Sequence, residues 1–190
     1  MQCLKCHGEL RNNDGTFCCA QCGGEWNAGR LAEEIRSVLG EVEPLLREGG
    51  TESVRRALEI LDRLIPVAQS VEDPDYPDRT NDLASAWMNR GVALESLGDE
   101  DSLREAVESY DRAIDLMEGI QGEGHPEWSN DLASAWNNRG NALESLGDEG
   151  SLREAVESYE RAIELREGIQ GAGHPEWSND LASAWNNRGN

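Results

Sequence analysis

A chain of 190 residues with a formal net charge of −21 and a pI near 4.4 is long enough for one or two domains. Its acidity argues against gripping nucleic acid through the phosphates, which an acidic surface repels, and leaves basic partners or plain solubility as the readings of the charge. A hydrophobic fraction of 37% and an aromatic fraction of 5% suit a thin, continuous apolar seam better than one thick globular core.

No apolar run approaches the roughly 18 residues that a membrane span needs. The start, Met1-Gln-Cys-Leu-Lys-Cys6, has no apolar segment of signal-peptide length. A cytoplasmic location is the resulting expectation, with no membrane partner.

The first candidate element is residues 1–29. All five cysteines lie here, as Cys3-x-x-Cys6 and Cys19-x-x-Cys22 with Cys18 left over. Two Cys-x-x-Cys turns supply four thiolates, a donor set suited to tetrahedral zinc. Glycines after each pair, Gly8 and then Gly23 with Gly24, let the backbone curl so that amide hydrogens face the sulfurs. Asn12-Asn13-Asp14-Gly15 is a turn signal between the pairs, so the segment reads as a hairpin with a knuckle at each end. It resembles a zinc ribbon over about residues 1–26. Four thiolates leave no open coordination position, which makes the expected zinc structural. Two disulfides or a redox dithiol are the alternatives, the former disfavoured without a secretion signal. Cys19 rather than Cys18 keeps the two-residue spacing, and His7 reads as a neighbour of the site.

Residues 30–78 read as a diverged repeat. Leu31, Ile35, Val38, Leu39, Val42, Leu45 and Leu46 recur at helical spacing, with Pro44 expected to kink or divide that helix. Gly49-Gly50 ends it, and a second helix begins near Thr51. Ser53-Val-Arg-Arg-Ala57-Leu-Glu-Ile-Leu61 aligns without gaps on Ser102-Leu-Arg-Glu-Ala106-Val-Glu-Ser-Tyr110. The acidic, Pro-rich stretch from Val71 to Asp78 matches later inter-repeat loops in place.

From residue 79 the chain repeats itself nearly verbatim. Leu-Ala-Ser-Ala-Trp starts at Leu83, Leu132 and Leu181, at a constant interval of 49 residues. A fixed period of this size means stacked units, each completing its core from its neighbours. The expected boundaries are 79–126, 127–175 and a partial unit, 176–190, within an array spanning 30–190. One unit reads as two helices. The first opens at Pro126 and carries Trp128, Leu132, Trp136, Gly140 and Leu143 on one stripe. The second opens at Ser151 as an N-cap, with Glu154 completing a capping box, and carries Leu152, Val156, Tyr159, Ile163 and Ile169. Arg153, Glu157 and Arg161, four apart on the outer side, can pair weakly.

Trp136-x-x-Arg139-Gly140-x-x-Leu143 followed by Ala155-x-x-x-Tyr159 resembles a tetratricopeptide repeat. The His-Pro-Glu lead-ins and long units are similar to kinesin-light-chain-type members. The resemblance covers about residues 30–190 and implies an all-α, helix-pair solenoid behind the zinc ribbon. Arg139 stands where the family pattern has leucine, and the units exceed the usual length of about 34 residues.

The resemblance further implies that first helices line a peptide-binding groove. Ser134, Asn137, Asn141 and Glu144 would face it, preceded by Ser85, Met88, Val92 and Glu95 and followed by Ser183, Asn186 and Asn190. Asparagine is a poor residue for a helix interior, and its side chain suits gripping an extended peptide backbone. The competing expectation is an asparagine ladder bonding neighbouring repeats to one another.

Nothing in the sequence pairs a nucleophile with a base or forms a phosphate loop. The expected function is therefore a non-enzymatic protein-interaction scaffold that binds a protein or peptide, with basic segments favoured by the charge. Two other readings stay open: a regulatory arm of a longer enzyme or signalling protein, and a transcription-linked zinc-ribbon protein. Trp177, Leu181 and Trp185 lie on the last helix, which lacks its second-helix partner. The expectation there is further repeats or self-association through the C-terminal end.

Overall fold

The computed structural model describes residues 3–6, 8–13, 16–71, 79–120, 126–171 and 178–188. The described residues form a small three-stranded sheet followed by helices, and the fold is an all-α helical repeat carrying an N-terminal strand region. By its internal packing the chain divides into two units, Met1–Arg90 and Gly91–Asn190.

The first unit opens with β1 (Leu10–Asn13), β2 (Thr16–Cys19) and β3 (Glu25–Asn27), antiparallel in that order. Phe17 of β2 stands opposite Trp26 of β3, and both are buried. Asn27 ends β3 and caps α1 (Ala28–Glu48), its side chain accepting from the Arg30 amide at 2.9 Å. The ribbon thus runs into the helix without a linker, and α1 packs on β3 and β2. Lys5 reinforces the junction, lying 5.7 Å from the Trp26 ring centroid and 3.4 Å from Glu34 of α1. Pro44 does not divide α1. It lies near the C-terminal end, where the missing donor removes a single backbone bond, and the helix runs on to Gly49, whose φ of 72° closes it. Helix α2 (Thr51–Ser70) packs on α1 through an apolar stripe from Val54 to Ala68.

Helix α3 (Arg79–Glu95) follows, and its first turns belong to the first unit. There Asp82 accepts from Arg36 of α1 at 3.0 Å, and Arg90 donates to Asp62 of α2 at 2.9 Å.

The second unit contains the end of α3, then α4 (Glu100–Ile120), α5 (Pro126–Leu146), α6 (Glu149–Gly171) and α7 (Ser178–Arg188). Consecutive helices α4 to α7 pack on one another. Within α5 and α6 the contacts run antiparallel, Gly140 against Tyr159 and Ser134 against Arg166. A β-carbon on Gly140 would come within 2.4 Å of the Tyr159 ring, and one on Gly91 within 2.5 Å of Tyr110. Glycine at these two positions lets the tyrosine lie flat on the facing backbone.

Gly98 and Gly147 both adopt a φ of 74° and end their helices in the left-handed region. The next residue then caps the following helix. Asp148 accepts from the amides of Gly150 at 3.0 Å and Ser151 at 3.1 Å and from the Ser151 hydroxyl, and Asp99 does the same for Ser102. The expected Ser151–Glu154 capping box is therefore corrected. Aspartate directly after the glycine reaches the free amides first, the serine hydroxyl becomes a donor to it, and Glu154 turns to Arg139.

Two further expectations for α6 change. Leu152 and Val156 are each 42% exposed; the buried face is Ala155, Ser158, Tyr159, Ala162, Ile163, Arg166 and Ile169. On the outer side Arg153 pairs with Glu149 and Arg161 with Glu164, rather than either with Glu157.

Candidate functional site

Two arrangements carry chemistry, one in each unit. The first is built by the two cysteine knuckles. The amide of Cys3 donates to the carbonyl of Gly8 at 2.7 Å and that of Cys19 to Gly24 at 2.9 Å, the same five-residue closure twice. Neither closing glycine has room for a side chain. A β-carbon on Gly8 would meet Gln21 at 2.6 Å, and one on Gly24 would meet the Trp26 ring at 2.3 Å. Gly23, with a φ of 68°, supplies the left-handed turn after Cys22.

These turns bring the sulfurs of Cys3, Cys6, Cys19 and Cys22 within 4.8 Å of one another. Cys3 and Cys22 are 3.8 Å apart and Cys6 and Cys19 3.4 Å. A tetrahedron of sulfurs at the usual zinc distance has edges of about 3.8 Å, so the four thiols could hold a metal ion. All five cysteines are free. Cys18 alternates to the other face of β2 and stands outside the cluster; His7 lies outside the described residues.

The electrostatics favour a cation. Backbone hydrogen bonds, chiefly from the Cys22 amide, pull the Cys19 thiol down to about 6. For Cys6 the Gly8 amide acts in the same direction, but burial and the neighbouring thiols together push it up to about 12. One thiolate forms readily, and its neighbours then resist ionising. A divalent ion between them would remove that resistance.

The second arrangement is a polar face on α5 and α7. Ser134, Asn137 and Asn141 are half-buried and Glu144 is exposed. Their spacing places them along one side of α5. The Ser134 hydroxyl accepts from Arg166 at 3.2 Å and itself donates to the Asn130 carbonyl. Asn141 Oδ1 accepts from the Tyr159 hydroxyl at 3.0 Å, and Glu144 accepts from the same hydroxyl at 2.9 Å. Asn187 of α7 donates to both Asn137, at 3.2 Å, and Asn141, at 3.3 Å. Asn186 is exposed, so the residue that reaches α5 is its neighbour. The verbatim copies conceal this, because they do not reveal which side of a helix meets the preceding unit. Asn190 lies outside the described residues.

Sequence reasoning also missed Arg166, which is 6% exposed beneath this face. Its position is legible as a break in the repeat, since Met117 occupies the matching place in the preceding copy.

Arg139 was the other anomaly. It donates to Asp111 of α4 at 2.6 Å, to Ser158 of α6 at 2.8 Å and to Glu154 at 3.2 Å. Arg188 repeats the first of these contacts with Glu160 at 2.8 Å, as Arg90 does with Asp62 in the first unit. Where the tetratricopeptide pattern has leucine, this chain thus has an arginine that ties one unit's first helix to the preceding unit's second. An open outer cleft of about 650 Å³ beside Arg139 and Trp136 is lined by Glu154, Glu157, Glu160 and Glu164.

Residues 133–168, spanning most of α5 and α6, match the tetratricopeptide repeat family model. The crystal structure of a de novo designed helical repeat protein, DHR64, superposes with a TM-score of 0.50 at 19% identity, covering 83% of this chain and 80% of that one. The DHF58 filament superposes equally, with a TM-score of 0.50 at 18% identity over 83% of this chain and 78% of that one. No curated protein matches the sequence. The likeness to the designed proteins concerns the fold alone, which is that of a tetratricopeptide-like helical repeat.

Proposed function

We propose that this tetratricopeptide-like repeat chain is a non-enzymatic protein-interaction scaffold whose partner peptide lies along the polar face of α5 and α7. The division assumed is a metal-binding segment at 1–29 and helical repeats from 30. The observation that carries the reading is the half-buried row Ser134, Asn137 and Asn141, extended by exposed Glu144; exposed Asn186, next to Asn187 on α7, is included in the proposed face. Asn187 and Tyr159 occupy the carbonyl oxygens of this row and so hold the side chains in fixed orientations. The groups offered to a peptide are then the Nδ2 donors of Asn137 and Asn141 and the Glu144 carboxylate. An extended backbone presents acceptors of the right kind, and the net charge of −21 favours basic side chains on it.

In the same reading Cys3, Cys6, Cys19 and Cys22 hold one zinc ion. Zinc there is structural, fixing the ribbon on which α1 begins. Thiolates kept for a metal belong in a reducing compartment, which fits a cytoplasmic protein.

The test is a selection of peptides from a random displayed library at physiological salt. Enriched sequences should carry lysine or arginine and should bind the Asn137→Ala/Asn141→Ala chain at least tenfold more weakly. Failure to enrich any sequence, or unchanged binding by the variant, would overturn the assignment of this face.

A further inference from the structure

Residues 81–100 and 130–149, which carry α3 and α5, agree at every position but two. Met88 and Val92 stand in the first stretch where Asn137 and Asn141 stand in the second, and residues 179–190 follow the asparagine form. The two differing positions are four apart and so share one side of the helix. In α5 that side carries the proposed peptide face. The copies therefore differ only along the side where a ligand would lie.

Half-buried Val92 is followed three residues on, along the same side of α3, by half-buried Glu95. The Glu95 carboxylate accepts from the Tyr110 hydroxyl at 2.8 Å. Glu144 of α5 makes the matching bond with Tyr159 at 2.9 Å, and Asn141 accepts from that same hydroxyl. Glu95 lies close enough to Tyr159 for its charge to hold the phenolic proton more tightly. Glu95 of α3 and Glu144 of α5 are thus neighbours at Tyr159. Elsewhere in the second unit the carboxylates of Asp111, Glu154, Glu160 and Glu164 each pair with an arginine. Among the described residues no basic side chain pairs with Glu95 or Glu144. Arg166 meets the face at Ser134, the far end of the row from Glu144. Burial pushes Glu95 up from its ordinary value, the behaviour of a carboxylate taken from water without a cation beside it.

We infer that Val92, Glu95 and Glu144 form a subsite for one lysine or arginine side chain of the bound peptide, with its aliphatic stem on Val92 and its charged head at the two carboxylates. The inference rests on the peptide face proposed above and extends that face to the end of α3. Long basic side chains lay their stems on apolar surface and keep the charged head at a polar group. Valine at position 92 offers that surface and asparagine does not, which gives the difference between the copies a physical reason. A small hydrated cation would gain from the carboxylates but not from Val92, so the apolar contact distinguishes the two occupants.

The probe is a random displayed peptide library, selected in parallel on the wild-type, Glu95→Gln and Val92→Asn chains. Glutamine keeps an acceptor for Tyr110, and melting temperatures will show that both variants are folded. The wild-type chain should enrich lysine or arginine at one fixed position. On Glu95→Gln that position should fall to the library background while the rest of the consensus persists. The peptide selected on the wild-type chain should bind Glu95→Gln about tenfold more weakly, the scale of a lost hydrogen bond to a charged group. Replacing its basic residue by norleucine keeps the stem and removes the charge. That change should cost the wild-type chain about the same factor and the Glu95→Gln chain little. Val92→Asn should weaken the basic and the norleucine peptides alike. The same basic position enriched on Glu95→Gln, an equal loss in both chains on norleucine replacement, or binding indifferent to Val92→Asn would overturn the inference and leave the peptide face standing. If the wild-type chain enriches no sequence, the peptide face falls and the subsite falls with it.

Discussion

Gly140 and Gly119 have the same chemistry and opposite prospects. Gly140 lies in the interior of α5, where alanine is better than glycine by about 1 kcal/mol, and Gly119 lies in the last turn of α4, where the advantage is smaller. Around Gly119 nothing lies within 4 Å of an added β-carbon, while at Gly140 the Tyr159 ring stands 2.4 Å away. Tyr159 is 2% exposed and cannot swing aside, and overpacking of this sort costs about 1–3 kcal/mol. Gly119→Ala should therefore raise the urea midpoint, and Gly140→Ala should lower it despite the better helix propensity. The acidic side chains divide by environment in a similar way. Asp148 is held below its ordinary value of 3.8 by hydrogen bonds from Ser151. Its stabilisation is therefore present above 3.8 and lost as pH falls through the lowered folded value. Glu95 is pushed up from 4.5 by burial, against the opposing hydrogen bond from Tyr110. Its contribution is fully present below 4.5 and lost as pH rises through the raised folded value. Asp148→Ala should accordingly lower the melting temperature at pH 7 and lose that effect in strong acid. Glu95→Gln should raise it at pH 7 and not at pH 4.

At the scale of elements the unit is a helix hairpin fastened to the previous one by an arginine. Arg139 is 15% exposed and Asp111 48%, as side chains. The pair itself should be worth about 0.5–1 kcal/mol, since its acid remains half in water. Arg139→Ala should cost more, about 2 kcal/mol, because it also removes packing on Trp136 and leaves Ser158 and Glu154 without this donor. A double-mutant cycle with Asp111→Ala, read by chemical denaturation, should isolate a coupling of about 0.5–1 kcal/mol. Additivity within error would show that the two residues do not act together.

The helix pairs were legible in the sequence because a period of 49 residues and an apolar stripe leave few alternatives. The caps were not legible, since Asp148 and Ser151 both qualify and geometry decides between them. Nor was the arginine rung. Its signal was present, as Asp62 with Arg90, Asp111 with Arg139 and Glu160 with Arg188, each pair 28 residues apart, but a single family pattern made Arg139 look like a flaw. The exposure of Leu152 could not be read from sequence at all, because its buried counterpart Leu103 sits in the same string.

For the whole molecule the question is how far each part stands alone. The four cysteines were legible from spacing; that Asn27 joins β3 directly to α1 was not. Zinc removal should unfold β1 to β3 and fray the first turns of α1, where Leu31, Ala32 and Ile35 lose the cover of the ribbon. The apolar stripe of α2 and the hairpins of the second unit do not depend on the thiols. Elemental analysis of reduced protein should give one zinc per chain. Chelation should remove it with loss of only a small part of the helical circular-dichroism signal. Loss of most of that signal would mean that the ribbon organises the repeats, and absence of zinc would remove its assignment to the site.

The central claim, a peptide-binding face on α5 and α7, reduces to the two asparagines that Asn187 bridges. Replacing them removes the bonds from Asn187 and Tyr159 and so costs stability in either case, about 1 kcal/mol for each lost hydrogen bond, offset in part by alanine's better helix propensity. If they also serve a ligand, replacing them weakens binding as well; if they only tie α7 to α5, binding is unchanged. The deciding measurement is calorimetric titration of one library-selected basic peptide into the wild-type chain and into Asn137→Ala/Asn141→Ala. We expect an affinity at least tenfold lower for the variant, with an equal number of sites. Equal affinities would contradict the account and leave the asparagines as a ladder between repeats.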